Sequence, residues 1–209
     1  MHLKKKSGLS LLELVITTMV VAIIVVGIAS MEVALRQSEK STSRNALLAM
    51  RTSGLMFHIR KNIELATGDA TSPGVVCTTV DLNGDCLPAD TLYIRQENQA
   101  LPVATRTVNY NDDIWFRYRH LADHSLLFCR TDRVGDLNPV GSDCAPGVIE
   151  ENLGALFSMD IHPQMDRVAQ DFFIQVTLRN RIDMARPADP FDNPQLNLTT
   201  NISPLSSSF

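Results

Sequence analysis

Three hydrophobic patterns follow one another along the chain. From Leu9 to Met31 the side chains are apolar or small, and Glu13 is the only charge among them. The ten Leu, Ile and Val residues between Leu14 and Met31 each favour insertion into a bilayer by roughly 0.3–0.6 kcal/mol, about 3–6 kcal/mol in total. As a helix rising 1.5 Å per residue, the run can cross about 30 Å of hydrocarbon. Val33 to Asn45 is then polar nearly all round, weak support for a helix standing alone. Leu48, Leu55, Ile59, Ile63 and Ala66 next recur at spacings of three, four and seven, a helical stripe able to pack on a sheet. Arg51, Arg60 and Lys61 lie off that stripe, and Gly68-Asp69 ends it. The pattern predicts one long helix, softened at Gly27 and Ser41–Ser43.

From Val75 onward the period changes to that of strands. Val75–Val80, Thr91–Gln96, Val103–Tyr110, Ile114–His120, Ser125–Arg130, Leu153–Ile161, Asp171–Asn180 and Gln195–Ile202 are the expected strands, several rich in β-branched and aromatic residues. Asn111-Asp112-Asp113 and Leu121-Ala122-Asp123-His124 read as hairpin turns. Pro187, Pro190 and Pro194 make Asp183 to Pro194 an irregular surface loop. The expected class is α+β, a long N-terminal helix packed on an antiparallel sheet with loop insertions.

Length adds that the 209 residues are an anchor plus one domain, with about 140 residues beyond the helix for a core. A net charge of −4 and a pI near 5.7 recommend no nucleic-acid partner. The basic residues are dispersed, apart from Lys4, Lys5 and Lys6 just before the apolar run. An ordinary signal peptide fits poorly. Its cleavage site should follow a shorter apolar region, and here Gly27-Ile28-Ala29 lies inside the run.

The other place to cut is before the run. A short basic leader, Gly8 at the cut and Glu13 as the fifth residue after it resemble the prepilin leader of type IV pilins and pseudopilins. Leu9 stands where many major pilins have Phe, and no proline interrupts the helix. Ile59-Arg60-Lys61, Asp90 to Arg95, Phe116-Arg117-Tyr118-Arg119, Leu126 to Arg130 and Glu151 to Leu156 are similar to segments of the W-type minor pilins. The J-type pseudopilin of type II secretion shares much of this pattern.

The resemblance implies a pilin fold, with residues 1–8 a leader, 9–31 a transmembrane and assembly helix, 32–68 a helical extension and 69–209 an exported β-rich domain. It implies cleavage after Gly8 by a prepilin peptidase and N-methylation of Leu9. The chain would cross a bacterial inner membrane once, N-terminus in the cytoplasm and globular part in the periplasm, before entering a pilus filament or tip. Its partners would be other minor and major pilins and the inner-membrane assembly platform, its role structural and not enzymatic, with no cofactor. Glu13 would be the assembly charge. In an exported chain, Cys77, Cys86, Cys129 and Cys144 read as two disulfides. Three pairings are possible, and the favoured one joins the neighbours, Cys77 to Cys86 and Cys129 to Cys144.

Little else in the sequence carries chemistry. Asp81, Asn83 and Asp85 start like the oxygen ligands of a calcium loop, but Cys86 stands where the turn needs Gly and Leu92 where the bidentate carboxylate belongs. Asn83-Gly84 reads as a turn instead, and no metal is expected. The cysteine spacing matches no zinc knuckle. His120 and His124 fall on a hairpin without a third ligand; His58 and His162 are isolated in sequence. Trp115, Phe116 and Tyr118 read as sheet packing. A rival of another class, a membrane-anchored periplasmic enzyme or calcium-binding module, would keep its N-terminus uncleaved.

Overall fold

The computed structural model describes residues 10–68, 72–80, 86, 91–102, 110–135, 137–166, 171–190 and 192–204. The chain divides into two units, Met1–Ser43 and Arg44–Phe209. Helix α1, Leu11–Glu64, begins in the first and ends in the second. It is unbroken at Gly27 and at Ser41–Ser43, where softening was expected. By length and composition it is the one helix among the described residues able to cross a membrane.

In the first unit the apolar side chains from Leu11 to Leu35 are exposed. The hydroxyls among them are satisfied within the helix. Thr17 Oγ1 donates to Glu13 O at 2.7 Å, Thr18 Oγ1 to Val15 O at 2.9 Å and Ser30 Oγ to Gly27 O at 2.8 Å. A segment so arranged offers hydrocarbon no unpaired hydroxyl.

In the second unit the end of α1 lies on antiparallel sheets. The stripe is buried as its spacing requires: Leu48, Leu55, Ile59, Ile63 and Ala66 all belong to the core. The first sheet has the order β1-β2-β3-β4-β5: β1 Val75–Cys77, β2 Thr91–Gln96, β3 Ile114–His120, β4 Ser125–Val134 and β5 Glu151–Ala155. The second has the order β6-β7-β8: β6 Ser158–Asp166, β7 Asp171–Arg181 and β8 Gln195–Ile202. Tyr118, Leu126, Ile161, Ile174, Val176, Leu178 and Ile202 join the helix stripe in one hydrophobic cluster.

The single sheet expected from the sequence is therefore two. The run Leu153–Ile161 breaks at Leu156-Phe157 because the chain changes partners there. The Leu156 N–H donates to His124 O beside the first sheet, and the Phe157 N–H donates to Arg179 O in β7. The expected strand Val103–Tyr110 lies outside the described residues except Tyr110, which opens a short 3-10 turn, Tyr110–Asp112. The Leu121–His124 turn forms as expected, with His124 in the left-handed region at φ 66°. The proline-rich loop is gathered around buried Asn193, whose Nδ2 donates to Asp183 O, Arg186 O and Pro187 O.

Both expected disulfides form. Cys77–Cys86 and Cys129–Cys144 have Cα separations of 5.7 and 5.8 Å. Cys77 belongs to β1, while the Cys86 N–H donates to Ile161 O of β6 at 3.0 Å, so the first bridge ties the edge of one sheet to the other. The second holds the loop after β4, where Glu150 accepts from Arg117 and Arg119 of β3 at 3.0 and 2.7 Å.

Candidate functional site

Of the expected N-terminal site, Gly8 and Leu9 lie outside the described residues. Ser10 and Glu13 are placed, and each satisfies the other. The Ser10 N–H donates to Glu13 Oε2 at 3.1 Å, and the Glu13 N–H donates to Ser10 Oγ at 3.4 Å. This is a capping box: two N–H groups that the start of a helix leaves orphaned are paired reciprocally. The carboxylate also lies at the positive end of the helix. Ser-x-x-Glu before an apolar run is the sequence signal for such a cap, and the reading of Glu13 as an assembly charge passed over it. Glu13 thus has a partner within its own chain.

The calcium candidates Asp81, Asn83 and Asp85 lie outside the described residues. The two neighbours that spoke against a calcium loop are placed: Cys86 is bridged to Cys77, and Leu92 is buried in the core. Among the described residues one group of metal-ligating type gathers, Cys129, Cys144 and Glu150. Its two sulfurs are joined to each other, so it offers no thiolate to a metal.

His120 and His124 flank the β3–β4 hairpin with ring centroids 6.1 Å apart. His120 is buried, its Nε2 2.6 Å from Leu156 O, and His124 stacks on Phe157. Trp115 is buried in β3, its Nε1–H donating to Gly135 O at 2.8 Å, and Phe116 stacks on Phe128.

His58, isolated in sequence, is not isolated in space. Its Nδ1 lies 2.8 Å from the Tyr118 hydroxyl, which also accepts from Asn62 Nδ2 at 2.6 Å. Gln96 Nε2 donates to Asn62 O and Oδ1, so the relay runs from β2 through α1 to β3 and back. His58 also sits edge-on to Phe128. Burial lowers the His58 pKa, with Glu151 opposing and Lys61 adding to the shift. The ring is therefore neutral at pH 7, with Nδ1 free to accept from Tyr118. Burial holds the Tyr118 phenol far above its usual range, so it stays a donor. The relay ties α1 to β2 and β3 of the first sheet.

A second polar group anchors the end of α1. The Arg95 side chain is wholly buried. Its Nε donates to Thr67 O at 3.1 Å, and its terminal nitrogens donate to Ser72 Oγ and Ser72 O, each at 2.7 Å. The guanidinium lies over the ring of Tyr110 at 4.0 Å and 3.9 Å from Asp113 Oδ2. Thr67 Oγ1 also donates to Asp113 Oδ2. Burial raises the Asp113 pKa, with Thr67 and Arg95 pulling the other way.

Beside the relay runs a groove of about 580 Å³, lined by Met50, Arg51, Gly54, Leu55 and His58 of α1 and by Leu153, Gly154 and Ala155 of β5. Arg51 and Ala155 also line a hollow of about 80 Å³ reaching Asn180 and Arg181. Among the described residues no carboxylate lines either. No family model, no curated protein and no solved structure matches this chain.

Proposed function

We propose that the chain is a minor pilin, a structural subunit that helps initiate or cap a type IV pilus, of the W type. One observation carries the reading: Gly8-Leu9-Ser10-Leu11-Leu12-Glu13, behind three lysines and running into the first turn of an exposed apolar helix. A peptidase recognising that leader would cut after Gly8, and the new amine would belong to Leu9, four residues before Glu13 in the sequence. An apolar helix followed by a disulfide-stapled α+β unit supports the same assignment, because each half suits a different medium. In this reading the apolar half waits in the inner membrane and later packs among other pilins. The cysteine-bridged half stands in the oxidising periplasm. Prepilin peptidase, the assembly platform and other minor and major pilins are the partners.

The test is the mass of the mature chain purified from cells that contain a prepilin peptidase. A chain beginning at methylated Leu9 is the expected result. One still beginning at Met1 overturns the assignment and returns the protein to the class of uncleaved membrane-anchored modules. Deletion then separates the pilus from its relative, the J-type pseudopilus: the expected result is fewer pili, with secretion of enzymes unimpaired.

A further inference from the structure

The end of β3 and the turn after it carry two imidazoles whose Nδ1 atoms the fold leaves unpaired. His120 is only 8% exposed, and its Nε2 lies 2.6 Å from Leu156 O. A carbonyl oxygen only accepts, so Nε2 holds the proton and Nδ1 is a bare lone pair. That Nδ1 is buried with no donor facing it, and so is Nδ1 of His124. Buried polar atoms are ordinarily paired, and an unpaired one marks a place for a water or an ion. One residue sets the backbone of this pair. Leu156 donates its N–H to His124 O at 2.8 Å and turns its carbonyl to His120. The His124 ring stacks on Phe157 at 5.6 Å. His124 itself is held at φ 66°, a conformation that a residue other than glycine keeps only where its surroundings enforce it.

Such an arrangement readies imidazole for a metal. A ligating histidine gives its other N–H to a carboxylate, a backbone carbonyl or a water, which fixes the tautomer and orients the ring. Leu156 O does this for His120. Bonds from an imidazole nitrogen to zinc run about 2.0–2.1 Å. Two of them, with two ring radii, reach across the 6.1 Å between the ring centroids. Among the described residues the only group of three metal-ligating side chains is Cys129, Cys144 and Glu150, so the two histidines form a two-ligand site. Calcium and magnesium need oxygen ligands. Imidazole nitrogens suit copper, nickel and zinc, with copper bound most tightly. We propose that His120 Nδ1 and His124 Nδ1 together bind one late divalent transition-metal ion, Cu²⁺ ahead of Ni²⁺ and Zn²⁺, with water at its remaining positions. The ion pins the end of β3 to its turn, beside the point where the chain leaves the first sheet for the second. The assignment needs neither cleavage at Gly8 nor a filament.

The experiment uses the full chain in detergent micelles, disulfides intact and without a histidine tag. All proteins carry His2→Gln, so that the amino terminus brings no imidazole of its own. Equilibrium dialysis against Cu²⁺ is expected to leave one ion per chain. Electron paramagnetic resonance of that ion should show hyperfine coupling to two imidazole nitrogens. His120→Gln keeps a donor for Leu156 O and removes the lone pair; His124→Gln removes the second ligand. Losing a ligand should cost no less than losing its outer-shell support, at least about tenfold in affinity. His162→Gln should leave binding unchanged, and excess Mg²⁺ should displace nothing. Far-ultraviolet circular dichroism checks that each variant keeps its fold. If His120→Gln does not fold, the spectrum of the native site and the His124 variant decide. A Cu²⁺ spectrum without two coupled nitrogens, affinity that survives His124→Gln, displacement by Mg²⁺, or no bound Cu²⁺ overturns the proposal.

Discussion

Replacing Arg95 by Met asks how firmly the end of α1 is tied to the first sheet. Methionine keeps most of the aliphatic stem and removes the fork. Thr67 O, Ser72 O and Ser72 Oγ lose their donors, and Asp113 loses the cation 3.9 Å away. Each hydrogen bond to a charged group is worth about 1.5–3 kcal/mol. Summing them would overshoot, because burying the guanidinium also had a cost. Removing one member of a buried pair, about 3–5 kcal/mol, is the better guide. The low end applies here, since Asp113 can take up a proton once the cation is gone; burial already pushes its pKa upward. For a unit the size of Arg44–Phe209, about 3 kcal/mol corresponds to a fall in Tm of about 6–12 °C. Thermal melts of the oxidised full chain in detergent, followed by circular dichroism, measure it. Arg95→Lys, which keeps the charge and loses the fork, should fall between. A methionine variant melting within about 2 °C of the native protein would refute the role given to Arg95.

Two further predictions concern residues with a cap or a relay to keep. Glu13→Gln preserves the acceptor of the capping box, which glutamine can fill, and removes the charge; Glu13→Leu removes both. If Glu13 docks against the amine of a neighbouring subunit, both variants are processed at Gly8 yet fail to co-purify with other pilins, and a glutamine variant that co-purifies normally leaves Glu13 only its cap. His58 titrates below its ordinary 6.5 in the folded chain. Its contribution to stability is therefore full above pH 6.5 and lost as pH falls through the lowered value. Between pH 7.5 and 5 the native protein should lose more Tm than His58→Gln, and equal losses would show that burial of this ring does not govern the acid limb.

The sequence revealed elements better than it revealed who pairs with whom. The buried stripe from Leu48 to Ala66 was legible because a helix repeats its face every three or four residues, and the strand from Asp171 to Asn180 was legible because apolar Ile174, Val176 and Leu178 alternate with polar neighbours. The change of sheet at Leu156-Phe157 was not: two backbone N–H groups choose carbonyls more than twenty residues away, and nothing local in Leu153 to Ile161 records that choice. Arg95 looked like one more basic residue, since burial of a guanidinium depends on Ser72, Thr67 and Asp113 arriving from three places. Of the N-terminal site, the charge of Glu13 was read and its hydrogen bond to Ser10 was not, although the Ser-x-x-Glu spacing was in plain sight. The unpaired Nδ1 atoms of His120 and His124 needed the structure, which alone shows what each ring nitrogen faces.

The spacing of the cysteines has a consequence for the order of events when the chain matures. The bridged residues are 9 and 15 positions apart, whereas the two crossed arrangements would close loops of roughly forty to seventy residues. Loop-closure entropy grows with the logarithm of length, so the crossed loops are disfavoured by about 1–2 kcal/mol per bridge. In an unfolded chain the neighbouring thiols meet roughly ten times as often. Segments this short come into contact within about 10–100 ns, whereas disulfide formation itself takes seconds to hours. Where an oxidant reaches the chain before it has folded, the same proximity still pairs the sulfurs correctly. Cys77 and Cys86 then carry a finished tether into the folding reaction, and when the Cys86 N–H finds Ile161 O, the second sheet is recruited to a partner already on a short leash.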